Sequence, residues 1–141
     1  MASPTQLSTQ ECTRRGWTFQ IVEHYHHHAR RRMDLFGFGD ILALDGKPGS
    51  LIIQATTVTN ISTRARKIEA SGLAIEWLHA GNRIEVWGWA KHPISRGAKK
   101  QTWMLRVYNM KIEKPDSLLI LPNDQDSVIK TIKHPGDRRT R

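Results

Sequence analysis

The chain has 141 residues, of which 38% are hydrophobic, so it suits one compact domain closed around a single core. Twenty-two Lys and Arg against thirteen Asp and Glu leave a formal charge of +9, which favours polyanionic partners, nucleic acid first among them, over acidic-surface chemistry. Cys12 is the only cysteine, which excludes an internal disulfide and a cysteine-built zinc site, and no apolar run approaches the ~20 residues needed to cross a bilayer.

Met1-Ala2-Ser3-Pro4 is not the charged start of a secretory leader, so a soluble protein of the cytoplasm, without a membrane partner, is expected. Ser8-Thr9-Gln10-Glu11 reads as a capping box that opens a short helix, and Gly16 suits its stop. Trp17, Phe19 and Ile21 then alternate with Thr18, Gln20 and Val22 as a half-buried strand does, ending near Glu23. The stretch from His24 to Arg32 has neither alternation nor a helical face and reads as a polar excursion. Asp40-Ile41-Leu42-Ala43-Leu44 and Leu51-Ile52-Ile53-Gln54-Ala55, separated by the turn-rich Asp45 to Ser50, predict an antiparallel hairpin. Both runs are apolar on both faces, so the hairpin is expected at the centre of a sheet covered on each side.

Thr56 to Asn60 leads into a helix that Asn60 or Ser62 can cap, and a second helical stretch spans about Ser71 to Ala80 before Gly81 stops it. Two further strands follow, Arg83 to Trp89 and Thr102 to Tyr108, joined by the basic segment Lys91 to Gln101. From Lys114 onward, Pro115, Pro122 and Pro135 break the pattern, and His134 to Arg141 reads as a loose basic tail. One α/β domain over 1–114 and a C-terminal extension over 115–141 are therefore expected.

The order of these elements sets Asp40 at the start of one central strand and Gln54 near the end of its neighbour, so the two ends meet. A carboxylate, a side-chain amide oxygen and the carbonyl of Ala55 are hard oxygen donors of the kind Mg²⁺ prefers. A metal there lowers the pKa of bound water and clamps a phosphate. Glu23, at the end of the first strand, is the next candidate ligand. Asp34 lies six residues before Asp40, ~20 Å away if the chain is extended, and joins the site only if Gly37 and Gly39 bend it. Arg64 and Lys67, at i and i+3, share one helix face and either can point back to the site.

The runs Gly39-Asp40-Ile41-Leu42-Ala43-Leu44 and Leu51-Ile52-Ile53-Gln54-Ala55-Thr56 resemble the Asp-bearing and (D/E/Q)-x-K strands of the PD-(D/E)XK nuclease superfamily, and within it phage proteins similar to archaeal Holliday junction resolvases. The resemblance covers roughly Gly16 to Trp89. It implies a restriction-endonuclease-like core, a central mixed sheet of about five strands flanked by helices in αβββαβ order. It further implies a Mg²⁺- or Mn²⁺-dependent endonuclease acting on branched or structured DNA in a host cytoplasm, with Asp40 as metal ligand and Gln54 as the second. Two residues depart from the family pattern. Gln54 replaces the usual acid, which removes one negative charge unless Glu23, Asp34 or Glu11 contributes. Thr56 stands where the family has its lysine, so Thr56 can position a water while Lys67 or Arg64 must bring the positive charge.

Arg30, Arg31, Arg32, Arg64, Arg66, Lys91, Arg96, Lys99 and Lys100 are the candidate phosphate contacts. His24 and His26 to His28 form no zinc-ligand spacing, since consecutive residues point apart, and beside a nuclease site they read as phosphate contacts. Trp87, Trp89 and Trp103 read as packing residues or as an apolar surface for a homodimer that cuts two strands. Two rivals stand beside the nuclease reading: a DNA-binding protein that keeps the fold without the chemistry, and a basic structural or RNA-binding module in which Asp40 only starts a strand.

Overall fold

Helix α1 (Pro4–Arg14) begins ahead of the expected capping box. The same pattern occurs at Ser3, whose hydroxyl accepts from the Gln6 amide while Gln6 Oε1 accepts from the Ser3 amide, and Pro4 takes the first helical position. Ser8 and Glu11 are thereby moved to the buried inner face of the helix. Gly16, at φ 78°, ends it as expected.

The computed structural model describes residues 2–114 and 117–123; the expected basic tail lies outside the described residues. After α1 come β1 (Thr18–Ile21), β2 (His24–His26), β3 (Arg31–Met33), β4 (Ile41–Leu44) and β5 (Leu51–Thr57). A 3-10 turn (Val58–Asn60), α2 (Ile61–Ala70) and α3 (Leu73–His79) lead to β6 (Arg83–Pro93), β7 (Gln101–Lys114) and β8 (Ser117–Pro122). The fold is α/β: six strands in the order β1-β4-β5-β6-β7-β8 form one mixed sheet, flanked by the three helices. Only β5 and β6 run parallel, joined by the α2–α3 crossover; the other neighbours are antiparallel.

Three sequence expectations need correction. The His24–Arg32 segment is not an excursion without structure, because β2 and β3 pair as a small second ladder outside the main sheet. The sheet continues past Lys114, where β8 adds a sixth strand along β7. β6 and β7 also run four and six residues past Trp89 and Tyr108 respectively, through segments whose charged residues hide the alternation.

Leu51, Ile52 and Ile53 of β5 are all fully buried, because alternate residues face opposite layers and both layers are covered. On one side Leu51 and Ile53 join Leu7, Cys12, Trp87 and Trp89 under α1; on the other, Ile52 joins Ile61, Ala65, Ile68, Ile84 and Val86 under α2. The indole N–H of Trp89 donates to Ser8 Oγ at 2.9 Å, and Trp87 donates to Glu85 Oε1 at 2.8 Å, so both tryptophans are packing residues with their polar edges satisfied. Among the described residues no helix is long and apolar enough to cross a membrane.

Candidate functional site

The β4–β5 register pairs Ile41 with Ile53. One step outward sets Asp40 opposite Gln54, with both side chains on the α2 face. Asp40 is anchored on both flanks: its amide donates to Ile53 O at 3.1 Å, and its carbonyl accepts from the amides of Val22 at 2.9 Å and Glu23 at 3.3 Å. The second contact holds Glu23 beside Asp40.

Asp34 arrives by a different route. Leu35 and Gly39 form a bridge across a turn whose residues Phe36 and Gly37 have φ of 55° and 85°. The turn folds the chain back on itself, so Asp34 lies against Asp40 instead of ~20 Å away. Gly39 suits the close packing here, since a Cβ would lie 3.0 Å from Ile52 Cγ2 and 3.2 Å from Leu35 Cβ and these would have to give by a few tenths of an ångström. Ligand atoms of Glu23, Asp34 and Asp40 all lie within 4.8 Å of one another. Asp34 thus stands level with Glu23, where sequence reasoning ranks it lower; the paired glycines around Phe38 are the available signal.

Asp40 is almost fully buried. Its Oδ2 accepts two hydrogen bonds of 2.8 Å, from Gln54 Nε2 and from the Ala55 amide. The remaining oxygens, Asp40 Oδ1 and Gln54 Oε1, are buried with no hydrogen-bond partner among the described residues. Leaving buried oxygens unsatisfied is costly; in the free protein the Asp40 carboxyl meets part of that cost by keeping a proton shared with Glu23, and a cation in the cleft would take the proton's place. Burial pushes the Asp40 carboxyl up to about 8; the Ala55 amide opposes the rise, and the negative charges of Asp34 and Glu23 and a hydrogen bond shared with Glu23 add to it. The Ala55 carbonyl points to the same side as its amide, as alternation along a strand requires.

These groups open into a cleft of about 370 Å³ at the C-terminal end of β5. Thr56, two residues beyond Gln54, is on the same wall and is buried. Lys67 Nζ donates to Asp34 Oδ2 at 2.5 Å, Arg64 lines the cleft one turn earlier on α2, and Arg32 Nη1 reaches Glu23 Oε1 at 3.3 Å. Three cations therefore wall a pocket of three carboxylates. Thr57, Asn60 and, from the start of α1, Pro4 and Thr5 complete the lining; nothing in the sequence points to them.

Other sequence candidates lie elsewhere. Arg66 points away from the cleft, toward Thr63 and a groove beside Met110. Arg30 and Arg31 are exposed on the β2–β3 ladder, and Lys91, Arg96, Lys99 and Lys100 occupy the exposed end of the β6–β7 hairpin. Glu11 is bound to Arg14 and Arg15 on α1, which hold its carboxyl below the usual range against the effect of burial, so it is no ligand of this cleft. Comparison of the chain with protein-family models, with curated proteins and with solved structures returns no match.

Proposed function

We propose that the protein is a divalent-metal-dependent endonuclease that acts on structured or branched DNA. The observation that carries this reading is the cross-strand pair Asp40–Gln54, whose two unsatisfied oxygens share a cleft with the carboxylates of Glu23 and Asp34. Such a donor set fits a hard divalent cation, Mg²⁺ or Mn²⁺, held by Asp40, Gln54 and the Ala55 carbonyl with Glu23 or Asp34. When bound, the ion supplies Lewis-acid polarisation of a phosphate oxygen and a bound water of lowered pKa. The run α1, β1, β4, β5, α2, β6, with only the last two strands parallel, supports the restriction-endonuclease-like core that the PD-(D/E)XK resemblance implies. The preference for branched DNA, and a homodimer to cut both strands, come with the resemblance to junction resolvases.

The chain's own residues divide the remaining work. Thr56 has a hydroxyl that can hold a water on the same wall as Gln54. Lys67 brings from α2 the positive charge that position 56 lacks, and Arg64 adds a second cation facing the developing phosphorane charge. Arg32 steadies Glu23 at the rim.

One observation favours the binding-only rival: Lys67 is already engaged by Asp34, so its charge is partly neutralised in the free protein. Cleavage of a panel of junction, flap, single-stranded and duplex DNAs with Mg²⁺ and Mn²⁺ separates the two. Metal-dependent cutting that vanishes in Asp40→Ala is expected. Salt-sensitive binding without cutting, unchanged in Asp40→Ala, would establish the rival instead.

A further inference from the structure

Past Thr57 the sheet narrows to two strands. The last rung of β5 pairs Thr57 with Trp89, and β8 reaches only the rung of Tyr108 and Pro122, level with Val86. β6 and β7 nevertheless stay paired from Ala90–Met104 to Pro93–Gln101, a ribbon with no further strand of the sheet beside it among the described residues. Its tip is an ordered turn: Ile94 N donates to Lys100 O and Ala98 N to Ser95 O, each at 3.0 Å, and Gly97 takes φ 77°.

The charge on this arm is of one sign. Between Glu85 and Glu113 the chain has no carboxylate but carries Lys91, Arg96, Lys99, Lys100, Arg106 and Lys111. Arg96, Lys99 and Lys100 are exposed at the tip, while Lys91 sits over the Trp103 ring at 5.1 Å, which stiffens the base of the ribbon. No large apolar side chain is exposed there to anchor a protein partner.

Because β5 and β6 are parallel, the arm leaves the sheet at the same end as Gln54 and Thr56. It stands about two strand spacings, ~10 Å, to the side of Asp40 and projects roughly 15–20 Å beyond the last rung of β5. Asp40 is level with Gln54 and Val86, three rungs short of Thr57, so the tip lies ~25–30 Å beyond it along the strands. That is most of the ~34 Å helical turn of a DNA duplex, whose backbone carries a charge every ~1.7 Å along the axis.

We propose that the β6–β7 arm grips the phosphate backbone of duplex DNA independently of sequence, most of a helical turn from the phosphate held at Asp40. The inference rests on the nuclease reading for the position of the cut and on the arm's own charge and shape for the contact. Arg96 offers a planar fork to a phosphate, and the two lysines add point charges on the same turn.

The test is metal-free binding of a fork with a 20-base-pair duplex arm, and of a trimmed fork without that arm, by the full chain and by its Arg96→Ala/Lys99→Ala/Lys100→Ala variant. The three positions are exposed turn residues, and a circular-dichroism melt checks that the fold is kept. The variant is expected to bind the long fork at least about tenfold more weakly at 100 mM salt, with the salt slope reduced by up to about 2.7, or about 0.9 for each phosphate no longer neutralised. Affinity for the trimmed fork is expected to stay the same. Equal affinity and slope for both proteins on the long fork overturn the proposal, as does an equal loss on the trimmed fork or a larger one on an RNA duplex. Weaker binding by the variant, with a wild type that never cuts under any metal, supports the arm and sinks the nuclease reading alone.

Discussion

Lys67 Nζ lies 2.5 Å from Asp34 Oδ2, a contact that ties α2 to the turn preceding β4 across 33 residues of chain. The pair places a cation in a carboxylate-lined cleft at the level where Thr56 leaves the wall uncharged. If Lys67 supplies transition-state charge, Lys67→Ala lowers kcat on the order of a hundredfold with little change in DNA or metal affinity. Stability should move by less than about 1 kcal/mol, since the lysine is well exposed. Asp34→Asn is expected to do the reverse, weakening Mn²⁺ binding measured by calorimetry. A Lys67→Ala enzyme with wild-type kcat would remove the lysine from the mechanism.

Asp40 sets an unusual pH dependence for the metal-free protein. A carboxyl whose pKa is higher folded than unfolded holds its proton more tightly in the fold. Its stabilisation is complete below about pH 4 and is lost as the pH climbs toward about 8. Asp45 has the opposite sign: burial opposes it, but hydrogen bonds from Arg83 and Lys47 and the Arg83 charge hold its carboxyl low, so its contribution is lost on acidification. Urea midpoints from pH 4 to 8.5 should therefore show wild type losing ground to Asp40→Asn as pH rises, by on the order of a few kcal/mol. Mn²⁺ at pH 8 is expected to restore the wild type and not the variant. A gap between the two proteins that is flat with pH contradicts the burial argument.

Gln54 donates to Asp40 with one end and presents a bare oxygen with the other. Gln54→Glu removes the donor and sets two carboxylates face to face. Without metal this is expected to lower the melting temperature, because like charges close together in a buried site repel. With Mn²⁺ the added charge should tighten binding at least several-fold. Calorimetric titration measures both effects, and an affinity below that of the wild type would argue that Gln54 is no ligand.

The parts of the fold that depend on alternation are legible in the residues, and the parts that depend on special backbone are not. Leu51-Ile52-Ile53 and Ile41-Leu42-Ala43 are apolar on both faces, which places their hairpin at the sheet centre and sets Asp40 against Gln54 by register. Asp34 is ranked too low because its position hinges on Phe36 at positive φ, which no side-chain preference announces for phenylalanine and to which only the neighbouring Gly37 and Gly39 point. Ser3 and Ser8 both begin a capping-box pattern; Pro4 at the first helical position decides between them. The β2–β3 ladder escapes notice because His24–His26 and Arg31–Met33 are held by their pairing with each other, without an apolar face to betray them.

Trp87-Gly88-Trp89 packs tightly on both faces of β6. Both indoles point under α1, so Gly88 faces the crossover, where a Cβ would lie 2.5 Å from Ile61 Cδ1, 2.8 Å from Ile61 Cγ1 and 3.3 Å from Val58 Cα. The Ile61 end methyl can turn aside only in part, because Cγ1 behind it is also too close, and relief beyond that must shift the start of α2 or the 3-10 turn that joins it to β5. Gly88→Ala is therefore expected to cost about 1–3 kcal/mol in urea denaturation, the range for overpacking a filled core. The same shift would carry Arg64 and Lys67 outward with α2, so activity at saturating metal should fall even where the protein stays folded. Gly88→Ala/Ile61→Val removes the methyl nearest the new Cβ and is expected to recover part of both losses. Recovery of stability without activity would place the strain in the core and leave the crossover where it was.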